Sequence, residues 1–352
     1  MVSPDFVLAY CKATVGRSGV AQMMATRNRA LAFVLLVLAG VPARAADKVS
    51  LAVPGVPPVF SGLVAYVAKE QGFFQKHGVE VEVRPFDSGA AAAQAVVTGN
   101  IDLSLSPTPV IVRMVSNAGV DLVGIYGMAN PDWLLASTEP GVKCANLKDQ
   151  AVGVDAVGGA RAVALAAFLR PCGLKVDQVK LVSLSSNVGA AMIAGQIKIG
   201  VLHTDDVPVL EEQMGKKLAI VSTFKQVAPV SHYNLIVTTR KSLAEKRPAF
   251  AKVLAGLIDA TRYMVDPKNA DRVAAIATVT GRSAELAKQA LPHFYQIKYW
   301  PLEDDGLAKA NLDRVIATEK EVGGIKPGKD PVTYEHLVDR GVWKEAEALR
   351  SK

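Results

Sequence analysis

The chain has 352 residues, half of them apolar and 21% charged, which is room for two domains and ample material for a core. Its formal net charge is +7, but residues 1–45 hold Lys12, Arg17, Arg27, Arg29 and Arg44 against Asp5, so only +3 belongs to the remainder. That remainder has no dense Lys/Arg stripe, which argues against a nucleic-acid partner.

Arg27 and Arg29 precede an apolar run from Ala30 to Gly40, followed by Pro42 and the small-x-small triplet Ala43-Arg44-Ala45. This is the pattern of a secretory signal, with cleavage expected before Ala46. The run is too short to span a bilayer, which takes about 20 residues. A signal of ordinary length would start at Met23 or Met24, so the true start is expected there. No Cys follows the cleavage site, so no lipoprotein anchor is expected. Cys11 leaves with the leader. Cys144 and Cys172 remain, a few residues before the strand Ala151 to Asp155 and at the end of the helix returning from it. A disulfide between them is expected, with two separate buried thiols as the alternative.

Lys48 to Val53 alternates as a strand, a Pro/Gly turn follows at residues 54–58, and a helix is predicted from Ser61 to about Gln71. Val79 to Phe86 is a second strand. Ser88-Gly89 opens an Ala-rich helix that ends at Gly99, and Ile101 to Leu105 is the third strand. Pro107-Thr108-Pro109 starts another helix, and Asp121 to Tyr126 and Trp133 to Ser137 are strands. The pattern restarts with strand Ala151 to Asp155, a Gly158-Gly159 loop and the helix Arg161 to Leu169. Strand Val179 to Leu184, helix Ser186 to Ala194, and strands Ile199 to His203, Leu218 to Phe224 and Tyr233 to Thr238 follow. Beyond Arg240 the reading is helical, through Ala249 to Val265, Ala270 to Thr280, Ala284 to Phe294 and Ala308 to Val322.

One unit occurs twice, 96 positions apart. Ala95 to Leu105 and Ala191 to Val201 each read as a helix end, a Gly, a polar residue and an apolar strand. Gly99 and Gly195 are read as helix C-caps in the left-handed conformation. The repeat implies two similar α/β lobes, each a mostly parallel, doubly wound sheet. Lobe one is expected over 46–136 and 234–352, with a helical C-terminal extension, and lobe two over 137–233. The strands at 133–137 and 232–238 are the expected crossings, and two crossings make a hinge.

With these features in place the chain resembles the substrate-binding proteins of ABC importers, in the branch of nitrate, sulfonate, taurine and thiamin-pyrimidine receptors. Lys69-Glu70-Gln71-Gly72-Phe73-Phe74 with His77-Gly78-Val79-Glu80, then Thr98-Gly99-Asn100-Ile101-Asp102, then Leu147 to Val154 carry the likeness, which covers Lys48 to the C-terminus. Lys198 departs from it, standing where second-lobe motifs often carry an acidic residue. The resemblance implies a type II periplasmic-binding-protein fold. It also implies a small-molecule solute and docking on a membrane permease with its ATPase, with the receptor itself a periplasmic monomer.

In open α/β sheets ligands sit beyond the carboxyl ends of the strands, where loops feed helix N-termini. The candidates are Phe60, Ser61, Ser88, Ser106, Thr108, Asn130, Trp133, Gly158, Gly159, Arg161, Asn187, Thr204, Asp205 and His232. Gly158-Gly159 lets backbone approach a ligand and Arg161 can fork onto an anion. Asp205-Asp206 can instead pair with Arg161 or take an amine, and Phe60 and Trp133 can stack on a flat solute. A small organic anion is expected first, a pyrimidine or thiamin precursor second. An enzyme of similar fold is the third reading, disfavoured because both cysteines fall away from the expected cleft and no CxxC or GxSxG motif occurs. No cofactor and no metal are expected.

Overall fold

The computed structural model describes residues 46–128, 130–185 and 187–351. Residues 1–45, where the signal is expected, with the candidate starts Met23 and Met24 and with Cys11, lie outside the described residues. Among the described residues no helix is long and apolar enough to cross a membrane.

The elements run β1 (Asp47–Pro54), α1 (Leu63–Glu70), α2 (Phe73–Lys76), β2 (Val79–Phe86), α3 (Gly89–Val97), β3 (Leu103–Pro107), α4 (Thr108–Ala118), β4 (Leu122–Met128) and β5 (Trp133–Ser137). The second set is β6 (Ala151–Val154), α5 (Ala160–Leu169), β7 (Lys180–Ser183), α6 (Val188–Ile193), β8 (Ile199–His203), α7 (Asp206–Met214), β9 (Ala219–Thr223) and α8 (Phe224–Val227). Then come β10 (Asn234–Thr239), α9 (Arg240–Val265), α10 (Ala270–Ala277), α11 (Ala284–Gln296), α12 (Lys309–Glu321), α13 (Tyr334–Leu337) and α14 (Gly341–Arg350).

Two five-stranded sheets result, in the orders β2-β1-β3-β10-β4 and β7-β6-β8-β5-β9. In each, the fourth strand is antiparallel to both neighbours and the first three run parallel. Strand for strand the two sheets are the same. The central strands β3, β5 and β8 are buried along their whole length, as sheets covered by helices on both faces require.

The repeated unit has one geometry in both lobes. Gly99 and Gly195 have φ of 77° and 72°, where a Cβ would be strained. Each stands one residue beyond the helix cap rather than at it. The amides of Asn100 and Gln196 both donate at 2.9 Å, to Ala95 O and Ala191 O, which are again 96 apart.

The crossings fall slightly outside the strands proposed for them. β5 lies wholly in the second sheet, paired with β8 and β9, and β10 wholly in the first, paired with β3 and β4. The chain therefore changes sheets between Met128 and Trp133 and again between Thr223 and Asn234. α9 also begins earlier than expected, at Arg240, carrying Pro248 inside the helix. Its buried face, including Phe250, Val253, Leu254, Leu257 and Ile258, outweighs the lost amide bond.

Candidate functional site

The site lies where the carboxyl ends of both sheets face each other. Trp133 opens β5 and pairs across to His203, the last residue of β8. Its ring packs against the His203 imidazole at 3.8 Å with a tilt of 31°, meets Tyr233 edge-on at 5.3 Å, and lies 5.5 Å from the Arg161 guanidinium. Tyr233 continues to Tyr299 at 6.2 Å, Tyr299 to Phe294 at 4.7 Å, and Phe294 stacks on Phe60 at 4.7 Å. This aromatic wall runs unbroken from the second lobe to the first.

A set of carboxylates sits against it. Asp132 accepts from His203 Nδ1 at 2.9 Å and from the Thr204 amide at 3.3 Å, while the Thr204 hydroxyl donates to Asp132 O at 2.8 Å. Asp205 is 2% exposed, and burial pushes its carboxyl up to about 6, with neighbouring Asp206 acting the same way and Arg282 opposing. Asp206 accepts the His203 amide at 3.0 Å; burial raises its carboxyl too, but Arg282 and Arg161 outweigh that and hold it below the ordinary range. Arg282 enters from the first lobe and pairs with both Asp205 and Asp206.

Asp132, His203 and Asp205 each bring one ligating atom within 4.8 Å of the others. Those atoms are already engaged, His203 by Asp132 and Asp205 by Arg282, and two guanidinium groups supply the positive charge a cation would bring.

Several buried polar atoms here lack partners. Ser61 Oγ and the Tyr299 phenol lie beside one another, yet neither is in hydrogen-bond geometry with a described residue. The same holds for Arg282 Nε, whereas the Asn234 amide lies in reach of the Tyr233 phenol. An unmet buried polar group costs about 1–3 kcal/mol, so such a cluster marks a place where something else bonds. Beside it a cavity of about 810 Å³ is lined by Asp132, Trp133, Thr204, Asp205 and Phe294. A second, of about 330 Å³, is lined by Pro107, Ala160, Trp133, Tyr233 and Thr318, so Trp133 borders both.

The structure brings Phe60, Ser61, Trp133, Thr204 and Asp205 of the sequence candidates to this place. Most of the others are engaged by the chain itself, although Asn130 also lines the larger cavity, His232 the smaller one, and Arg161 lies against Trp133. Ser88 caps α3 through the Ala91 amide at 3.2 Å, and Ser106 donates to Gly89 O at 2.9 Å. Thr108 and His232 bond each other at 2.7 Å, and His232 Nε2 reaches Gly306 O at 2.8 Å. Asn130 donates to Ile297 O at 3.0 Å, tying the crossing to the C-terminal helices, and Asn187 is exposed with no side-chain cap.

The Gly158-Gly159-Arg161 loop differs most from expectation. Asp155 places its own carboxylate at the start of α5, accepting from the Ala156 amide at 2.8 Å and the Arg161 amide at 3.2 Å. A Cβ on Gly159 would lie 2.4 Å from that carboxylate, so the glycine makes room for Asp155. Arg161 is buried, donates to Val201 O at 3.2 Å and lies 3.7 Å from Asp206, so its fork is occupied within its own lobe. The anion position at this helix is filled by the chain itself.

Sequence reasoning missed Asp132, Tyr233, Asn234, Arg282 and Tyr299. Asp132 and Tyr233 flank the crossing strands, a signal that was present. Arg282 and Tyr299 stand in the helical C-terminal region, where no local pattern points to a cleft.

Two lobes of matching topology, exchanged fourth strands and a site at their facing edges define the periplasmic-binding-protein fold. The chain belongs to the NMT1/THI5-like family, whose model matches residues 60–270. A Haemophilus influenzae protein provisionally named a thiamine biosynthesis protein is 26% identical over 251 residues, covering 68% of this chain and 76% of that one. The periplasmic nitrate-binding protein NrtA of Synechocystis PCC 6803 shares the fold with a TM-score of 0.72 at 15% identity, over 89% of this chain and 91% of its own. The alkanesulfonate-binding protein SsuA of Xanthomonas axonopodis pv. citri does so with a TM-score of 0.67 at 16% identity, over 86% and 99%.

Proposed function

We propose that the protein is an extracytoplasmic solute receptor that hands its ligand to an ABC permease and its ATPase. We infer further that the solute is a flat nitrogen heterocycle of the pyrimidine class, the second of the readings drawn from the sequence. The carrying observation is the adjoining pair of buried polar groups on Ser61 and Tyr299, neither in hydrogen-bond geometry with a described residue, set against an aromatic wall between the lobes. A heterocycle with ring nitrogens and amino groups meets such donors and acceptors along its edge while its faces stack.

Charge supports this over a small organic anion. Asp132, Asp205 and Asp206 face Arg161 and Arg282, and both guanidiniums are already paired. The α3 and α5 N-termini are capped by Ser88 and Asp155 of the chain. The name carried by the Haemophilus relative points the same way. Binding rather than catalysis is favoured because Cys144 and Cys172 are joined to each other, with Cα atoms 5.8 Å apart, on the side of the second lobe where β6 begins.

Delivery follows from the hinge. Closure about the two crossings brings both lobes onto the solute and excludes water, and the closed form is what a permease reads. Calorimetry with an aminopyrimidine, an alkyl sulfonate, nitrate and an aromatic carboxylate tests the solute class. Micromolar or tighter binding of the aminopyrimidine alone is expected; saturable binding of the sulfonate or nitrate without it rejects the heterocycle.

A further inference from the structure

Arg282 is committed to an interlobe contact that solute recognition alone does not call for. It follows Gly281, whose φ of 79° turns the chain between α10 and α11 beside Pro57. Its guanidinium carbon lies 5.7 Å from the Phe60 ring centroid, and its Nη2 pairs with Asp206 Oδ1 at 2.7 Å and with Asp205. Phe60 and Arg282 belong to the first lobe, Asp205 and Asp206 to the second. Among the described residues only one other ion pair joins the lobes. That pair, Arg170 with Glu321, is 3.9 Å apart between groups 46% and 49% exposed, and so contributes little. The Arg282 side chain is 13% exposed.

An aromatic face below and two carboxylates at the edge are what a planar nitrogen cation asks of a site. Arg282 meets that demand only in part, since its Nε, buried with the rest, has no partner. Ser61 Oγ and the Tyr299 phenol, also unpartnered, adjoin the same place: Ser61 follows Phe60 in the chain, and Tyr299 lies close enough to Arg282 and Asp205 for their charges to be felt. The guanidinium thus fills the cation position and leaves neighbouring polar groups unused.

We propose that the Asp205–Asp206 pair over Phe60 is a recognition subsite for a flat, protonated nitrogen base, and that Arg282 occupies it as a tethered stand-in until such a solute takes its place. The flat base rests on the receptor reading above; the hold of Arg282 across the lobes does not. Exchange of one cation for another keeps both carboxylates compensated, whereas an anion entering here would face them unshielded. Without solute, Arg282 biases the lobes toward closure. They open transiently, the solute takes the carboxylates, and they reclose on it.

Benzamidinium and benzoate, alike in shape and opposite in charge, test this by calorimetry on the purified wild-type protein and its Arg282→Ala variant. Small-angle scattering of each without ligand completes the test. Benzamidinium should bind Arg282→Ala at least tenfold more tightly than wild type, benzoate should gain nothing, and the ligand-free variant should have the larger radius of gyration. Equal benzamidinium affinity in the two proteins, an equal gain by benzoate, or unchanged scattering overturns the proposal. If Arg282→Ala does not fold, Asp205→Asn serves, because it weakens the hold without stranding two carboxylates. Its radius of gyration should rise and its benzamidinium affinity should not exceed that of wild type; the reverse of either overturns the proposal. An aminopyrimidine that binds wild type and Arg282→Ala alike removes the stand-in and leaves the receptor reading intact. Sulfonate binding with no binding of any flat base removes the solute class as well.

Discussion

The hydrogen bonds around His232 fix its protonation state. Gly306 O can only accept, so Nε2 carries the proton and Nδ1 accepts from the Thr108 hydroxyl. Burial pushes the imidazole down to about 4, the bond to Gly306 opposing, while Lys298, Glu303 and Asp304 line the adjoining cavity. The folded state therefore binds fewer protons than the unfolded one between about 4 and the ordinary value near 6.5. Stability from this residue rises with pH through that window, by about 3 kcal/mol in all. Asp205 works in the opposite sense. Its raised carboxyl contributes stability below the ordinary value near 3.8, and that contribution is lost as pH rises through about 6. Melting from pH 4 to 7 should thus show the two in competition, and His232→Gln should leave a net decline with rising pH. Matching slopes for the two proteins would show that His232 does not fold in its neutral form.

Asp155 gives a second test at this scale, because its carboxylate caps α5 where a solute anion was expected. Asp155→Ala should lower stability by about 1–2 kcal/mol in urea titration. Solute affinity measured on the same protein should change by less than threefold, and a tenfold loss would return this loop to the binding site.

Among elements, what could be read from the chain was local. The unit α3–Gly99–β3 and its copy α6–Gly195–β8 depend on residues within one turn of the glycine, and their hydrogen bonds repeat at the same spacing as the sequence. Phe60, Trp133 and Asp205 were within reach for a related reason, since they stand where strands meet loops. Arg282 was not, because the turn at Gly281 and the packing of α10 and α11 place it, and neither depends on neighbouring residues alone. The start of α9 at Arg240, ahead of the expected Ala249, has the same cause, since packing carries the helix through Pro248. The link between Cys144 and Cys172 belongs to this scale too, closing a loop with a separation of 28 residues around β6 and α5. Loop-closure entropy makes its contribution about 3–4 kcal/mol. Reduction with a phosphine should lower the unfolding free energy by that order, and titration of the denatured, unreduced protein should find neither Cys144 nor Cys172 free. Two reactive thiols at these positions would show that the bond does not form.

At the scale of the whole molecule the exchanged strands decide where one lobe ends. The second sheet takes β5 from before the segment 137–233, and among the described residues β5 is the only partner of β9 and one of two partners of β8. Leu134 and Ala136 on β5 also belong to the second lobe's own apolar cluster with Val188, Met192, Leu202 and Leu210. A fragment spanning 137–233 therefore starts with β9 unpaired, an edge exposed on β8, and two core side chains missing. A fragment spanning 131–231 keeps all five strands and that cluster. Leu134 alone, lost from such a core, costs about 2–5 kcal/mol. The longer-starting fragment should show a cooperative urea transition by circular dichroism, and the 137–233 fragment should show none. Equal transitions in both would mean that β5 is not part of the second lobe's folding unit, and that the boundary lies within the strand at residue 137.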